Sequence, residues 1–271
     1  MAKPERHRKL FWPTMNQTDT LNPARASVAV IGSGRLGGVL ARALRAAGLD
    51  VLGPFGRDGT AASGTVPAVD IALLCVPDAA IAVAADAVRD RARFVGHVSG
   101  ATGLDAVDFS QHPLQTFTGD EKPDVFRGIG CAVDAHTDEA LAVATGLAEV
   151  LGARAFRVGD AQRAGYHAAA STASNLVLAV LDAAEQLAVA AGLPSADTRA
   201  LLAPLVRRTV ENWADAGAEA SLTGPIARGD EGTVARQRAA VADAGLDLLA
   251  LFDQLCASTR GLAHRPQEDA A

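Results

Sequence analysis

Between the apolar run Val28–Ile31 and the amphipathic stretch Leu36–Ala47 stands Gly32-Ser33-Gly34-Arg35-Leu36-Gly37. Glycines spaced G-x-G-x-x-G after a short apolar run, opening a helical pattern that Gly48 closes, predict a strand–turn–helix unit. The first glycine permits the tight turn, the second lets backbone approach a pyrophosphate, and the third lets helix and strand pack closely. The helix N-terminus adds free amide donors and a dipole that favours negative charge. On this pattern Gly32, Ser33, Gly34, Arg35, Leu36 and Gly37 are assigned to holding a dinucleotide.

The pattern of the following chain extends this unit. Val51–Phe55, Ile71–Val76 and Phe94–Val98 read as buried strands, with a helix from Pro77-Asp78 to about Val88. Ile129–Val133, a helix over 137–151 and Ala155–Val158 continue the alternation, whereas 100–127 reads as irregular. Strands alternating with helices predict an α/β fold, a Rossmann-type doubly wound and mostly parallel sheet. From Ala161 onward only helical patterns remain, at 161–191, 195–216 and 230–257. The expected organisation is a flexible arm over 1–25, a dinucleotide-binding domain over 26–159, a smaller all-α domain over 160–258 and a tail over 259–271.

Composition narrows the function classes. The 271-residue chain carries a net charge of −6, which argues against a nucleic-acid binder relying on bulk positive charge. No membrane partner is expected, because no apolar run reaches the roughly 18 residues of a span. Cys75, Cys131 and Cys256 are scattered without a CxxC pair, so neither a disulfide framework nor a metal site is expected, and a cytoplasmic setting fits.

The end of the second strand speaks to the choice of cofactor. NAD-preferring domains place Asp or Glu there to accept from the ribose 2′-hydroxyl. Here the strand runs into Gly56-Arg57-Asp58, so Arg57 is placed to pair with a 2′-phosphate, and NADP is expected over NAD. Asp58 keeps NAD open. Val76 and Pro77 end a strand at the carboxyl edge, where ligands of open sheets bind, and Ser99 follows the next strand at the same edge. All three are expected beside the cofactor, with Asp78 read as a helix cap. His97 reads as a core histidine.

Candidates for the chemistry lie further on. His112 and Gln115 fall in the irregular segment, where His112 could pass a proton and Gln115 could hold substrate. His167, Ser171, Asn175 and Asp182 are spaced by four, four and seven residues, one face of a single helix. Short polar side chains on that face suit a cleft, so His167, Ser171 and Asn175 join His112 as candidate catalytic residues. Arg228, in the turn before the last helix, could clamp a carboxylate, and Asp230 reads as that helix's N-cap.

The motifs GSGRLG, CVPD, HVSGA, HPLQTF, YHAAASTASN and LTGPIARGD, in that order, resemble a bacterial family of two-domain Rossmann-like proteins assigned as oxidoreductases, whose C-terminal helical domain has no assigned function. More distantly the layout resembles the 6-phosphogluconate dehydrogenase, 3-hydroxyisobutyrate dehydrogenase and ketopantoate reductase group. In that group's hydroxyacid dehydrogenases a Lys precedes a pair of Asn. Laid on this chain, the Lys falls at Ser171 and the pair at Ser174 and Asn175, so the catalytic Lys is replaced. The resemblance also implies a homodimer through the helical domain. The expected function is an NADP-dependent oxidoreductase acting on a small carbonyl or hydroxy acid, such as a 2-keto acid, in the interdomain cleft. The alternative is a cofactor-responsive binding protein without turnover.

Overall fold

The structure is a computed structural model, which describes residues 21–56 and 66–264. The chain divides into two compact units, 1–172 and 173–271. Unit 1 is built on a seven-stranded sheet: β1 (Ser27–Ile31), β2 (Asp50–Phe55), β3 (Val69–Leu74), β4 (Ala92–His97), β5 (Phe109–Pro113), β6 (Gly130–Ala135) and β7 (Arg154–Arg157). Its order is β2-β1-β3-β4-β5-β6-β7, with only the β5–β6 pairing antiparallel. The expected α/β class, a mostly parallel Rossmann-type sheet followed by a helical region, is the observed one.

Alternation along the strands explains the double winding. Val28, Val30, Ile71 and Leu73 face one side, where they pack with α1 (Arg35–Ala46) and α3 (Asp138–Val150). Ala29, Ile31, Ala72 and Leu74 face the other side and pack against α2 (Ile81–Val88). Each strand is therefore apolar on both faces, the pattern expected of a parallel sheet covered by helices. A fully buried Leu or Ile contributes about 1.5–3 kcal/mol relative to exposure, so this two-sided burial specifies strand register.

Three sequence expectations are corrected in unit 1. The arm read as 1–25 joins the fold at its end: the Asn22 side chain accepts from Ala24 N at 3.1 Å and opens a 3-10 turn, Pro23–Arg25, that packs on α3. The segment 100–127 contains a central strand, β5. Its polar run Ser110-Gln111-His112 concealed it, although Phe109, Ser110 and Gln111 are all buried. Asp78 does not cap the following helix; it opens a 3-10 turn, Asp78–Ala80, with no side-chain cap bond ahead of α2.

The helical stretch read as 161–191 is two helices, α4 (Asp160–Thr172) and α5 (Asn175–Ala190), and α4 belongs to unit 1 rather than to the helical unit. The reason is a buried guanidinium. Arg163, 4% exposed, donates to Ser110 Oγ on β5 at 2.9 Å and to Asp160 Oδ1 at 3.2 Å, with Asp134 Oδ2 of β6 at 3.9 Å. Leaving a buried charge unpaired costs about 3–5 kcal/mol, so this cluster ties α4 to the sheet. Taken as one stretch, Asp160–Ala190 is long and apolar enough by composition to cross a membrane, against the sequence expectation, but a turn at residues 173–174 interrupts it.

Unit 2 contains α5, α6 (Thr198–Ser221), α7 (Glu231–Ala244) and α8 (Leu246–Ala263). The final helix read as 230–257 is divided at Gly245, where φ is 158°, and α8 continues beyond residue 258. Asp230 caps α7 as expected, its Oδ1 accepting from Thr233 N at 3.0 Å. Packing joins α5 to α6 and α7 to α8. Leu176, Leu178, Leu201, Leu205 and Trp213 remain more than half exposed.

Candidate functional site

The carboxyl ends of β1, β3, β4 and β5 all lie at one edge of the unit 1 sheet, and the glycine turn begins there. Gly32 has φ of 114°, and a Cβ on it would lie 2.2 Å from the Cys75 carbonyl oxygen. A Cβ on Gly37 would lie 2.0 Å from the Gly32 carbonyl oxygen. These two glycines let turn, helix and β3 approach as closely as they do. Gly34 is different: a Cβ there would meet nothing within 4 Å. It precedes the first helical residue, Arg35, and no side chain caps the α1 amides.

An open, uncapped helix N-terminus faced by a side-chain-free residue fits a pyrophosphate. Ser33 and Arg35 are exposed at this turn, and Leu36 is half-buried. Ser33 Oγ is close to Gly56, where a Cβ would lie 3.0 Å from it, so the end of β2 borders the turn. The residues that follow, including Arg57 and Asp58, lie outside the described residues.

A cavity of about 270 Å³ opens beside the turn. Every residue lining it belongs to unit 1, from Leu36 at the turn to His167 on α4. Val76 and Ser99 line it, together with Gln115, His112 and His167, so six of the residues assigned from sequence converge. Pro77 is exposed between the lining residues Val76 and Asp78. Ser171, also in unit 1, does not line it. The stripe that placed His167, Ser171 and Asn175 on one helix is broken by the turn at 173–174, which puts His167 and Ser171 in unit 1 and Asn175 in unit 2. Arg228 is exposed in the turn before α7 and makes no ion pair among the described residues.

His112 is not on a loop but on β5, with its ring over Gly100. A Cβ on Gly100 would lie 2.8–3.0 Å from His112 Cε1, Nε2 and Nδ1, so only glycine leaves room for that ring. Its Nδ1 is 2.7 Å from the Tyr166 hydroxyl, and its ring centroid is 6.3 Å from that of His167. Burial first, then the nearby His167 and Arg163, push its pKa down to about 4, with Asp78 opposing. The ring is therefore neutral at neutral pH. Burial pushes the Tyr166 hydroxyl up to about 12, so it keeps its proton.

Burial pushes the Cys75 thiol up to about 12, which makes it an inert part of the wall. His97 is fully buried, as a core histidine should be, and burial lowers its pKa. Its Nδ1 accepts from Ser99 N at 3.2 Å while Nε2 faces the Gly103 carbonyl at 2.9 Å, so it scaffolds the loop after β4. The Ser99 hydroxyl is occupied by that loop too, accepting from Ala101 N and Thr102 N at 3.1 and 3.0 Å.

Tyr166 was missed as a site residue from sequence. Tyr166 adjoins His167 and follows Arg163 by one helical turn, but its meaning depends on β5, which the polar pattern concealed. Gly100, which directly follows Ser99 at a strand end and reads from sequence as leaving space there, lines the cavity.

Residues 129–259 match the family model described as "Domain of unknown function (DUF2520)". No curated protein matches the sequence. Among solved structures, BF3122 of Bacteroides fragilis, described as an inferred NADP oxidoreductase, is 21% identical with a TM-score of 0.72, covering 88% of this chain and 99% of its own. TM1727 of Thermotoga maritima is 21% identical with a TM-score of 0.70, covering 87% and 98%. The Plasmodium falciparum pyrroline carboxylate reductase, solved with NADP bound, is 10% identical with a TM-score of 0.56, covering 88% and 98%. At these identities the likeness establishes the fold: a Rossmann-like unit with a C-terminal helical region. The resemblance drawn from the motifs is borne out in the fold.

Proposed function

We propose that this chain is an NADP(H)-dependent oxidoreductase acting on a small carbonyl or hydroxy acid. The observation that carries the reading is the placement, along one sheet edge, of an open helix N-terminus at Gly34 beside a cavity holding His112 and His167. The names of two structural neighbours, an inferred NADP oxidoreductase and an NADP-bound reductase, support it. NADP over NAD rests on Arg57 and on the lack of an acidic residue at the end of β2.

When bound, the nicotinamide supplies the hydride chemistry. The chain's own part is to bind, orient and handle the proton. The α1 amides and Gly34 receive the pyrophosphate; Val76, Pro77 and Ser99 border the cofactor. His112 is neutral, so it meets a reacting oxygen as a neutral donor or acceptor and not as a standing imidazolium. His167 and Gln115 line the substrate side. Ser171 and Asn175, for the reacting oxygen, and Arg228, for a carboxylate, are assigned from residue type and spacing alone. A 2-keto acid, the finer substrate assignment, would enter a cavity whose only charged lining residue among those described is Asp78.

The exposed apolar residues of α5 and α6 support a homodimer through the helical unit, and a cytoplasmic location accompanies a reductase of this type. A purified chain that sediments as a monomer would remove the dimer. For the activity, the test is paired titration with NADPH and NADH by nicotinamide fluorescence, then NADPH consumption with a panel of 2-keto acids and aldehydes. Tighter NADPH binding with turnover that His112→Ala abolishes is expected. Binding of neither dinucleotide would overturn the reading.

A further inference from the structure

We propose that Tyr166 is a positioning residue that holds His112 as the tautomer protonated on Nε2, so that the cavity presents a hydrogen-bond donor to a carbonyl oxygen. The inference rests on the proposed carbonyl chemistry for its purpose, but not for its structural content. The Nε2 proton stays on the ring and hydrogen-bonds the oxygen on which negative charge develops, and the proton that completes the alcohol comes from water.

The argument begins with the phenol. Among the described residues the Tyr166 hydroxyl has one hydrogen-bond partner, His112 Nδ1 at 2.7 Å. A phenol that keeps its proton is a better donor than acceptor, and here it has a single acceptor to donate to. If Nδ1 carried the proton instead, the phenolic O–H would be left without an acceptor among these residues, at a cost of about one hydrogen bond. The O–H therefore donates to Nδ1, and the neutral ring carries its proton on Nε2.

The ring has no freedom to exchange the roles of its edges. Gly100 lies against one side, where a Cβ would come within 2.8–3.0 Å of Cε1, Nε2 and Nδ1. Tyr166 stands edge-on at 5.6 Å between ring centroids, itself braced edge-on by Phe156 at 5.9 Å. Arg163, one turn earlier on α4, pins that helix to Ser110, two residues before His112 on β5. Among the described residues His112 Nε2 makes no hydrogen bond, which leaves its proton for a ligand in the cavity that His112 lines.

The groups that face the ring keep it neutral. Tyr166, His167 and Arg163 face it from α4, His97 from β4, and Asp78 from the segment after β3. Burial most of all disfavours a second proton on His112, and His167, Arg163 and His97 add to it, with Asp78 opposing.

The experiment is a long-range proton–nitrogen spectrum of the full chain with 15N-labelled histidine near pH 7, His112 being assigned by its absence in H112N. Expected in the wild type are a protonated-type shift for Nε2 and an unprotonated-type shift for Nδ1. In Y166F the two tautomers mix, and kcat for carbonyl reduction falls about five- to tenfold, the value of one hydrogen bond, with dinucleotide Kd unchanged. A protonated-type Nδ1 in the wild type overturns the inference, as does an unaltered tautomer in Y166F. If Y166F does not fold, the wild-type spectrum decides alone. If no carbonyl is reduced, the proposed function fails while the spectrum still settles the tautomer.

Discussion

Replacing Gly34 with alanine separates binding from folding more cleanly than any other change at the glycine turn. The residue sits at φ −69°, ψ −175°, extended backbone that alanine adopts without strain. Its new Cβ would meet nothing within 4 Å. Reduced freedom of the unfolded chain favours the variant by about 0.4–1 kcal/mol, and losing glycine at a helix N-cap costs a similar amount. The two offset, so Tm is expected to move by no more than about 3 °C. The methyl group, however, projects into the space where a pyrophosphate would approach the α1 amides. Losing one charge-assisted hydrogen bond costs about 1.5–3 kcal/mol, which raises the NADPH Kd about ten- to a hundredfold. Fluorescence titration and a thermal melt on the same preparation read both quantities. Gly37→Ala is the contrast: its Cβ would strike the Gly32 carbonyl at 2.0 Å, so it lowers Tm as well. A Gly34→Ala protein that binds NADPH within twofold of wild type refutes the assignment of phosphate to this turn.

Gly100→Ala forces the His112 ring from its place, so turnover falls at least tenfold while the NADPH Kd holds, because the glycine turn is untouched; unchanged kcat would show that the ring position does not matter. His112 also makes stability depend on acidity. Its folded pKa of about 4 lies below the ordinary 6.5, so below about pH 6.5 the unfolded state binds more protons than the native one. The stability it protects is whole above pH 6.5 and is lost as pH falls through about 4, at most about 3 kcal/mol. H112Q, compared with wild type in urea at about pH 7 and about pH 4.5, is expected to lose less stability on acidification, and an equal loss would refute the shift.

Much of the cofactor side was legible because its signals are local. Glycine spacing, an apolar run before it and an amphipathic helix after it lie within some twenty residues, and each has one dominant structural solution. Val76 and Ser99 could be placed for the same reason, as the first residues beyond buried strands. The proposed reader of a 2′-phosphate, Arg57, rests on residue type alone and lies outside the described residues. His97 was recognisable as core because it falls in an apolar strand.

The substrate side was legible only in parts. His112, Gln115 and His167 were found as residue types, but the assignment of His112 to a loop was wrong. A central strand carrying Ser, Gln and His breaks the apolar pattern that marks buried strands, and the partners of Ser110 and His112, Arg163 and Tyr166, come from a distant helix. The polar stripe from His167 to Asn175 followed helical periodicity correctly over each half, but periodicity carries no information about the turn at 173–174.

What the sequence by itself determined is therefore the class of fold, the two-sided burial of its strands and the tight glycine turn at the sheet edge, all of which follow from backbone conformation and the spacing of apolar residues along the chain. Only the tertiary structure decided that α4 belongs with the sheet, that β5 carries His112, and that Tyr166 meets its Nδ1. Those facts rest on contacts between residues about fifty positions apart, whose free energy depends on burial and charge pairing across elements and leaves no periodic trace in the sequence.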